Sequence, residues 1–339
     1  MDGNATKIRV KQIRLTLHTM QAMGYDVSQC LQGTGFNEAA VADPLSDVSI
    51  TLEQEFRFYQ NLLELTGDPQ LGLTLGKTYS LDSLGLLGYA LTSASTVKHA
   101  LNIGRHYGLL AFTLFTLDYR IVSDSSGYIS LRPNDKIPQA LLAYYIDRSL
   151  SFIVNAAQAL VLPSFAPEKI VLMHDGPIEP YEQYFGCPVV AGGDAVEIHG
   201  NHVILNTPMP APDNEINRLC RQQCHVLLAR MRSADGFTDK VRQRILEQPG
   251  YFPSIEQVAE KLSMTSRTLR RKLSDEDTSF SQIIDDIRCE LALDYLTNSE
   301  LLIEEIAELL GYSSAGNFSH AFRRWKGCSP KSFRVSSKL

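Results

Sequence analysis

Hydrophobic positions along this chain follow two periods, and the switch between them marks the predicted elements. Leu52 to Leu65 sets Phe56, Tyr59, Leu62 and Leu63 at helical spacing, and Thr96 to Leu110 does the same with Val97, Ala100, Leu101 and Tyr107. The period then shortens. Phe112 to Val122 and Gly127 to Leu131 alternate on either side of the polar run Ser123 to Ser126, which predicts a β-hairpin, and Lys169 to Met173 predicts another strand. Val196 to Ile198 and His202 to Leu205 flank Gly200-Asn201, which predicts a further pairing through a tight turn. Residues 1–210 are therefore expected to form an α+β domain, an antiparallel sheet with helices packed on it.

Pro208, Pro210 and Pro212 interrupt the chain before a long helical pattern and mark the expected boundary. Asp213 is placed to cap a helix running to about Arg232, whose apolar stripe is Ile216, Leu219, Cys220, Leu227, Leu228 and Met231. Such a stripe serves either to pack on its own domain or to pair two copies of the chain. Residues 211–236 are accordingly read as a linker with a possible dimer helix, and 237–339 as a second, all-α domain.

Within that second domain the pattern repeats. Ile255, Val258, Ala259 and Leu262 match Ile303, Ile306, Ala307 and Leu310 at an offset of 48 residues, each set forming the stripe of a short buried helix. Ser254 and Gln257 form a capping box for the first. The second has Leu302 at the cap position, with Glu304 and Glu305 near the positive end of the helix dipole. Short turns follow, Ser263-Met264 and Gly311-Tyr312-Ser313, and second helices begin behind Thr265 and Ser314. This predicts two helix-turn-helix units.

In the second helices Leu269 and Leu273, and Phe318 and Phe322, face inward, which fixes the outer faces. Arg267, Arg270 and Arg271 occupy one, and Asn317, His320 and Arg324 the other. Arginine matches guanine O6 and N7, and asparagine matches adenine N6 and N7. Between the units Ser281 to Leu296 predicts a helix of 16 residues, or roughly 24 Å. That brings the recognition helices near one turn of B-DNA apart, about 34 Å.

Charge supports this reading once it is divided. The net −6 of the 339 residues comes from residues 1–236, with 17 Lys and Arg against 23 Asp and Glu, whereas 237–339 carry 15 of each. Thr265 to Leu273 and Gly316 to Leu339 are basic and free of acid, as contact with phosphates at two places requires. A structural nucleoid protein is disfavoured, because the larger acidic part would repel DNA.

Composition excludes other classes. With 44% hydrophobic and 21% charged residues the chain is globular. No apolar run reaches the ~20 residues of a membrane span, and Lys7, Arg9, Lys11 and Arg14 break any signal-peptide core, so a cytoplasmic location and no membrane partner are expected. The six cysteines form no C-x-x-C pair, and Cys220, Cys224 and His225 leave a tetrahedral metal site incomplete. No metal or cofactor is implied. Hydrolase, zinc-protease and nucleotide-binding signatures are absent, and the S-x-x-K of Ser95 and Lys98 lacks its partner motifs. Arg105, His106, Tyr145 and Arg148 are polar groups on otherwise apolar helices and are the candidate ligand-binding residues; solvated helix faces explain them equally well.

The run Ile306-Ala307-Glu308-Leu309-Leu310-Gly311-Tyr312-Ser313, then Phe318-Ser319-His320-Ala321-Phe322-Arg323-Arg324, then Gly327-Cys328-Ser329-Pro330 and Phe333-Arg334, resembles the signature of AraC/XylS-family transcription regulators. Thr265 to Arg271 resembles that family's first unit. The resemblance implies a seven-helix DNA-binding domain reading a bipartite site in double-stranded DNA, with base contacts from Arg267, Arg270 and Arg271 and from Gly316, Asn317 and His320. His320 departs from the arginine usual there. A fixed charge gives way to a residue type whose charge changes near neutrality.

Thr66-Gly67-Asp68-Pro69, Leu71-Gly72-Leu73, Leu84 to Ala90 and Tyr184 to Val189 resemble the arabinose-binding-type N-terminal domain of a subgroup that includes the ornithine-utilisation regulator and VirS-like proteins. That likeness implies effector sensing or oligomerisation. The expected function is a transcription activator, a homodimer that engages RNA polymerase and answers to a small-molecule effector; a ligand-independent regulator with a pure oligomerisation domain is the alternative. Cysteine-dependent DNA alkyl transfer, known on AraC-like units, needs a Pro-Cys-His-Arg site or four zinc-binding cysteines, and this sequence has neither.

Overall fold

Thr51 opens a long amphipathic helix by accepting the Gln54 N–H, while the Gln54 side chain accepts the Thr51 N–H in return, and Gly67 closes it in the left-handed conformation (φ 58°). In this computed structural model residues 3–43, 50–111, 114–123, 125–160, 165–232, 236–247, 251–298 and 301–338 are described. They divide into two compact units, residues 1–224 and 225–339.

In the first unit α1 (Gly3–Ala22), α2 (Val27–Cys30), α3 (Glu38–Ala42), α4 (Leu52–Thr66), α5 (Leu71–Gly76), α6 (Leu86–Thr92) and α7 (Val97–Tyr107) precede β1 (Phe115–Ile121) and β2 (Gly127–Pro133). Then come α8 (Gln139–Leu160), β3 (Lys169–Val171), α9 (Glu179–Phe185), β4 (Val189–Val190) and β5 (Val196–Gly200). The sheet order is β1-β2-β5-β3-β4. Alternation puts Leu131, Ile170, Val196 and Ile198 into the core with Phe58, Tyr59, Leu71, Tyr144 and Tyr145 from the helices. Gly72 and Gly76, one turn apart, let α5 lie directly on α8: a Cβ at either would fall 2.5 Å from the Tyr144 carbonyl oxygen or 2.6 Å from that of Arg148.

The predicted hairpin is β1-β2, in register from Phe115 opposite Pro133 to Ile121 opposite Gly127. Phe112, Thr113 and Asp124 of that prediction lie outside the described residues. Two expectations are corrected. The sheet is mixed, since β3 and β4 run parallel while its other pairings are antiparallel. His202 to Leu205 is no strand: His202–Asn206 forms a 3-10 turn, because the Asn201 side chain caps it by accepting the Val203 N–H instead of turning a hairpin.

The proline segment also does more than separate domains. Its prolines leave the intervening amides to donate, Met209 to the Ser95 carbonyl and Asp213 to that of Ser93, while Thr207 accepts from Val97. By contact the first compact unit runs to Cys224. Helix α10 (Asn214–Arg232) starts with Asp213 as cap and Asn217 donating to the Ala90 carbonyl at 2.7 Å.

The second unit holds α11 (Phe237–Leu246), α12 (Ile255–Lys261), α13 (Ser266–Ser274), α14 (Phe280–Asn298), α15 (Ile303–Leu309), α16 (Ala315–Lys326) and α17 (Pro330–Lys338). It has two cores, and α14 serves both. Ile283, Ile284 and Ile287 join Val241, Val258, Leu269 and Leu273, whereas Ala292, Tyr295 and Leu296 join Ile306, Leu310, Phe318 and Phe322. Apolar residues on different sides of one helix are what two successive cores demand.

Candidate nucleic-acid interface

Helices α12 and α13 form the first helix-turn-helix, α15 and α16 the second. The capping box of Ser254 and Gln257 starts α12, and the Glu305 carboxylate accepts the Leu302 N–H (2.6 Å) at the start of α15, doing from the third position what Leu302 lacks the atoms to do. Both turns close with one hydrogen-bond pattern. Ser263 and Met264 donate to the carbonyls of Glu260 and Ala259, and Gly311 and Tyr312 to those of Glu308 and Ala307. Each pattern needs a left-handed residue, Ser263 (φ 54°) in one turn and Gly311 (φ 72°) in the other. The second turn is one residue longer, and the caps Thr265 and Ser314 accept from Thr268 and Asn317.

Once Leu269 and Leu273 are buried, Arg267, Arg270 and Arg271 must face out, and all three are exposed. Arg267 and Arg271 lie one turn apart with no ion-pair partner among the described residues, while Arg270 lies 3.8 Å from Glu256 with both side chains more than 60% exposed. Lys272 turns aside over the Phe237 ring, 5.0 Å from its centroid.

On α16 the buried Phe318 and Phe322, packed with Tyr312, Trp325 and Phe333, leave Gly316, Asn317 and His320 exposed. The Asn317 amide donates to the Ser313 hydroxyl (2.9 Å). Arg324 is exposed too, but its guanidinium is held 2.7 Å from Asp285 on α14.

Arg288 escaped the sequence reading. From the middle of α14 it donates through Nε to the Leu310 carbonyl (2.9 Å), with its guanidinium 4.6 Å from the Phe252 ring and 4.7 Å from that of Tyr312. It thus braces the turn that presents α16. A lone arginine among the acids of the linker helix was the available signal.

Of the proposed ligand residues only Tyr145 and Arg148 meet, and they meet inside the core. Arg105 is at the surface, 3.2 Å from Asp118, and half-buried His106 packs edge-on against Tyr107. Tyr145 donates to buried Glu55 (3.0 Å), and Arg148 lies 4.6 to 5.8 Å from the rings of Tyr145, Tyr59, Tyr79 and Tyr144. Burial pushes the phenols of Tyr59, Tyr144 and Tyr145 well above their ordinary value, so this cage is neutral and built around its own cation. The Ser95 hydroxyl meets His99 (3.1 Å), not Lys98, and burial, with Arg221 nearby, lowers that imidazole to about 3. Burial pushes the Cys224 thiol up to about 12, and His225 lies 3.6 Å from Glu290.

Two capped helix-turn-helix units, joined by a helix packed into both and presenting basic and amide side chains outward, define a DNA-binding protein with two reading heads. Residues 24–209 match the family model described as the arabinose-binding domain of AraC transcription regulators, N-terminal, and residues 258–336 match a helix-turn-helix domain. The chain therefore belongs to the AraC family of transcription regulators, in the group with this N-terminal domain, and is a DNA-binding regulator rather than an enzyme. It is 32% identical to the ornithine utilization regulator of Pseudomonas aeruginosa over 80% of each chain. It is 35% identical to the urease operon transcriptional activator of Escherichia coli over 28% of this chain and 32% of that one. Among solved structures, the transcriptional regulator CdpR of Pseudomonas aeruginosa aligns with a TM-score of 0.46 at 28% identity, covering 84% of this chain and 93% of that one. Among the described residues no helix is long and apolar enough to cross a membrane.

Proposed function

We propose that this regulator is a sequence-specific transcription activator of the cytoplasm that acts as a homodimer, engages RNA polymerase and adjusts its DNA affinity through its N-terminal unit in answer to a small molecule. The observation that carries the reading is the exposed trio Arg267, Arg270 and Arg271 on a helix whose inner face is fully buried, repeated as Gly316, Asn317 and His320 on a second such helix. Side chains so placed suit base edges in two successive major grooves. The activator role is supported by the name of the urease operon relative. Footprinting across the gene's own neighbourhood tests the reading: two protected half-sites about one helical turn apart are expected. If no site is preferred over random duplex at physiological salt, the reading fails.

A second reading, a ligand-independent regulator with a pure oligomerisation domain, is favoured by one observation. Ile216 and Leu219 on α10 remain 47% and 48% exposed, an apolar pair left for a partner helix.

A further inference from the structure

The N-terminal unit contains an apolar cavity of about 210 Å³ between α7, α8 and the inner face of the sheet. Leu101 and Gly104 border it from α7, Ile129 and Ile198 from β2 and β5, and Ile153 and Ala157 from α8. Of these only Ile198 is buried; the others are partly exposed, since the cavity opens to solvent. None of Arg105, His106, Tyr145 and Arg148 borders it.

Its wall offers little to a polar ligand. Tyr119 reaches it, but the phenol hydroxyl already donates to Asn102 (3.2 Å). Arg120, Tyr128 and His199 also border it, yet strand alternation sends their side chains to the sheet's other face, where Tyr128 stacks on His199 and His199 meets Glu197 at 2.7 Å. His202 Nδ1 is the exception, buried with no hydrogen-bond partner among the described residues, so the wall leaves one polar atom to a ligand.

We infer that this cavity is the binding site for a neutral, apolar small molecule, about one aromatic ring with a short alkyl substituent. The inference rests on the sensing role proposed above and gives it a ligand class. Size sets the scale: an apolar cavity of roughly 150 Å³ takes benzene, so this one holds a ring and a few further carbons. Chemistry excludes a sugar and an amino acid, whose hydroxyls and charges would be stranded against carbon.

The test uses the full chain with ethylbenzene and indole as probes and benzoate, L-arabinose and L-ornithine as polar controls. Ethylbenzene and indole are expected to bind saturably and raise the melting temperature by about 3–6 °C at ten times their Kd. The controls are expected to do neither. Gly104→Leu has room to fill the space, since the nearest atom to a Cβ there is Leu91 Cδ2 at 3.8 Å. It should abolish the shift while leaving the ligand-free melting temperature unchanged or higher. Leu101→Ala, which enlarges the space, should move preference from ethylbenzene toward butylbenzene.

The inference is overturned by no binding of the neutral probes, by binding that survives Gly104→Leu, by unchanged preference in Leu101→Ala, or by a control binding in their place. Gel shifts with and without ethylbenzene separate the two levels. Binding that leaves DNA affinity unchanged retains the cavity as a ligand site and overturns the sensing role.

Discussion

Helix α13 presents three arginines, two of them without an ion-pair partner among the described residues, while α16 presents Gly316, Asn317 and His320, and Arg324, one turn beyond His320, is tied to Asp285. The scaffolds beneath are alike: the same stripe, the same turn hydrogen bonds, the same left-handed position and hydroxyl caps at both second helices. Burial thus fixes which residues face out without fixing what they are, and the reading chemistry of two equivalent motifs has diverged on a shared frame. Fixed charge on α13 suits tight bidentate contact, and the glycine, amide and imidazole of α16, with Arg324 tethered, suit a weaker second grip.

The largest effect is expected where the comparison is sharpest. A bidentate arginine–guanine pair contributes about 1–3 kcal/mol of base discrimination, and Arg271 is fully available for one. Arg271→Ala should lower affinity for the footprinted site about 100-fold in competition gel shifts. The turns come next. Ala at Gly311 would hold a Cβ at positive φ only 3.2 Å from the Phe252 ring, so Gly311→Ala should destabilise by about 1–2 kcal/mol. Ser263→Gly relieves the same backbone demand and should stabilise by up to about 1 kcal/mol. Urea unfolding of the two variants checks whether the turns are as alike energetically as they are in hydrogen bonding; equal signs would refute that.

The second domain was legible because its information is local. A helix of seven residues with a stripe and a capping acceptor near its start declares itself within ten positions, so the repeat from Ile255 and Ile303, both turns and all the outward side chains could be read directly. The first domain hides what depends on distant partners. Strand β4, two residues long, exists only through its parallel pairing with β3. The run His202 to Leu205 has strand-like residues, and only the capping choice of Asn201 makes it a 3-10 turn. Tyr145 and Arg148 read as polar groups on an apolar helix, but whether they line a void or fill a core depends on Glu55, Tyr59 and Tyr79, some seventy to ninety positions away. The apolar cavity has no local signature, since its walls use the same residue types as the core.

Two smaller predictions probe α16. His320→Ala should weaken binding less than tenfold, equivalent to less than about 1.4 kcal/mol, and His320→Arg should tighten it and steepen its salt dependence through the added charge. Gel-shift affinities at two salt concentrations decide. A loss in His320→Ala as large as in Arg271→Ala would make α16 an equal reader.

The smallest effect concerns Arg324, which its outward position assigns to DNA and its partner assigns to the protein. The pair is 59% exposed on the arginine side and 31% on the aspartate side, so breaking it should cost the fold under about 1 kcal/mol. Asp285→Asn removes a negative charge beside the recognition helix and frees the guanidinium to reach a phosphate. Affinity should then rise a few-fold, and the slope of log K against log salt should steepen by about 0.9 for the one added phosphate contact. Arg324→Ala in the Asp285→Asn background should return the slope to its starting value. If Asp285→Asn leaves the slope unchanged, Arg324 is a structural strut between α14 and α16, and the difference between the two recognition helices is wider still.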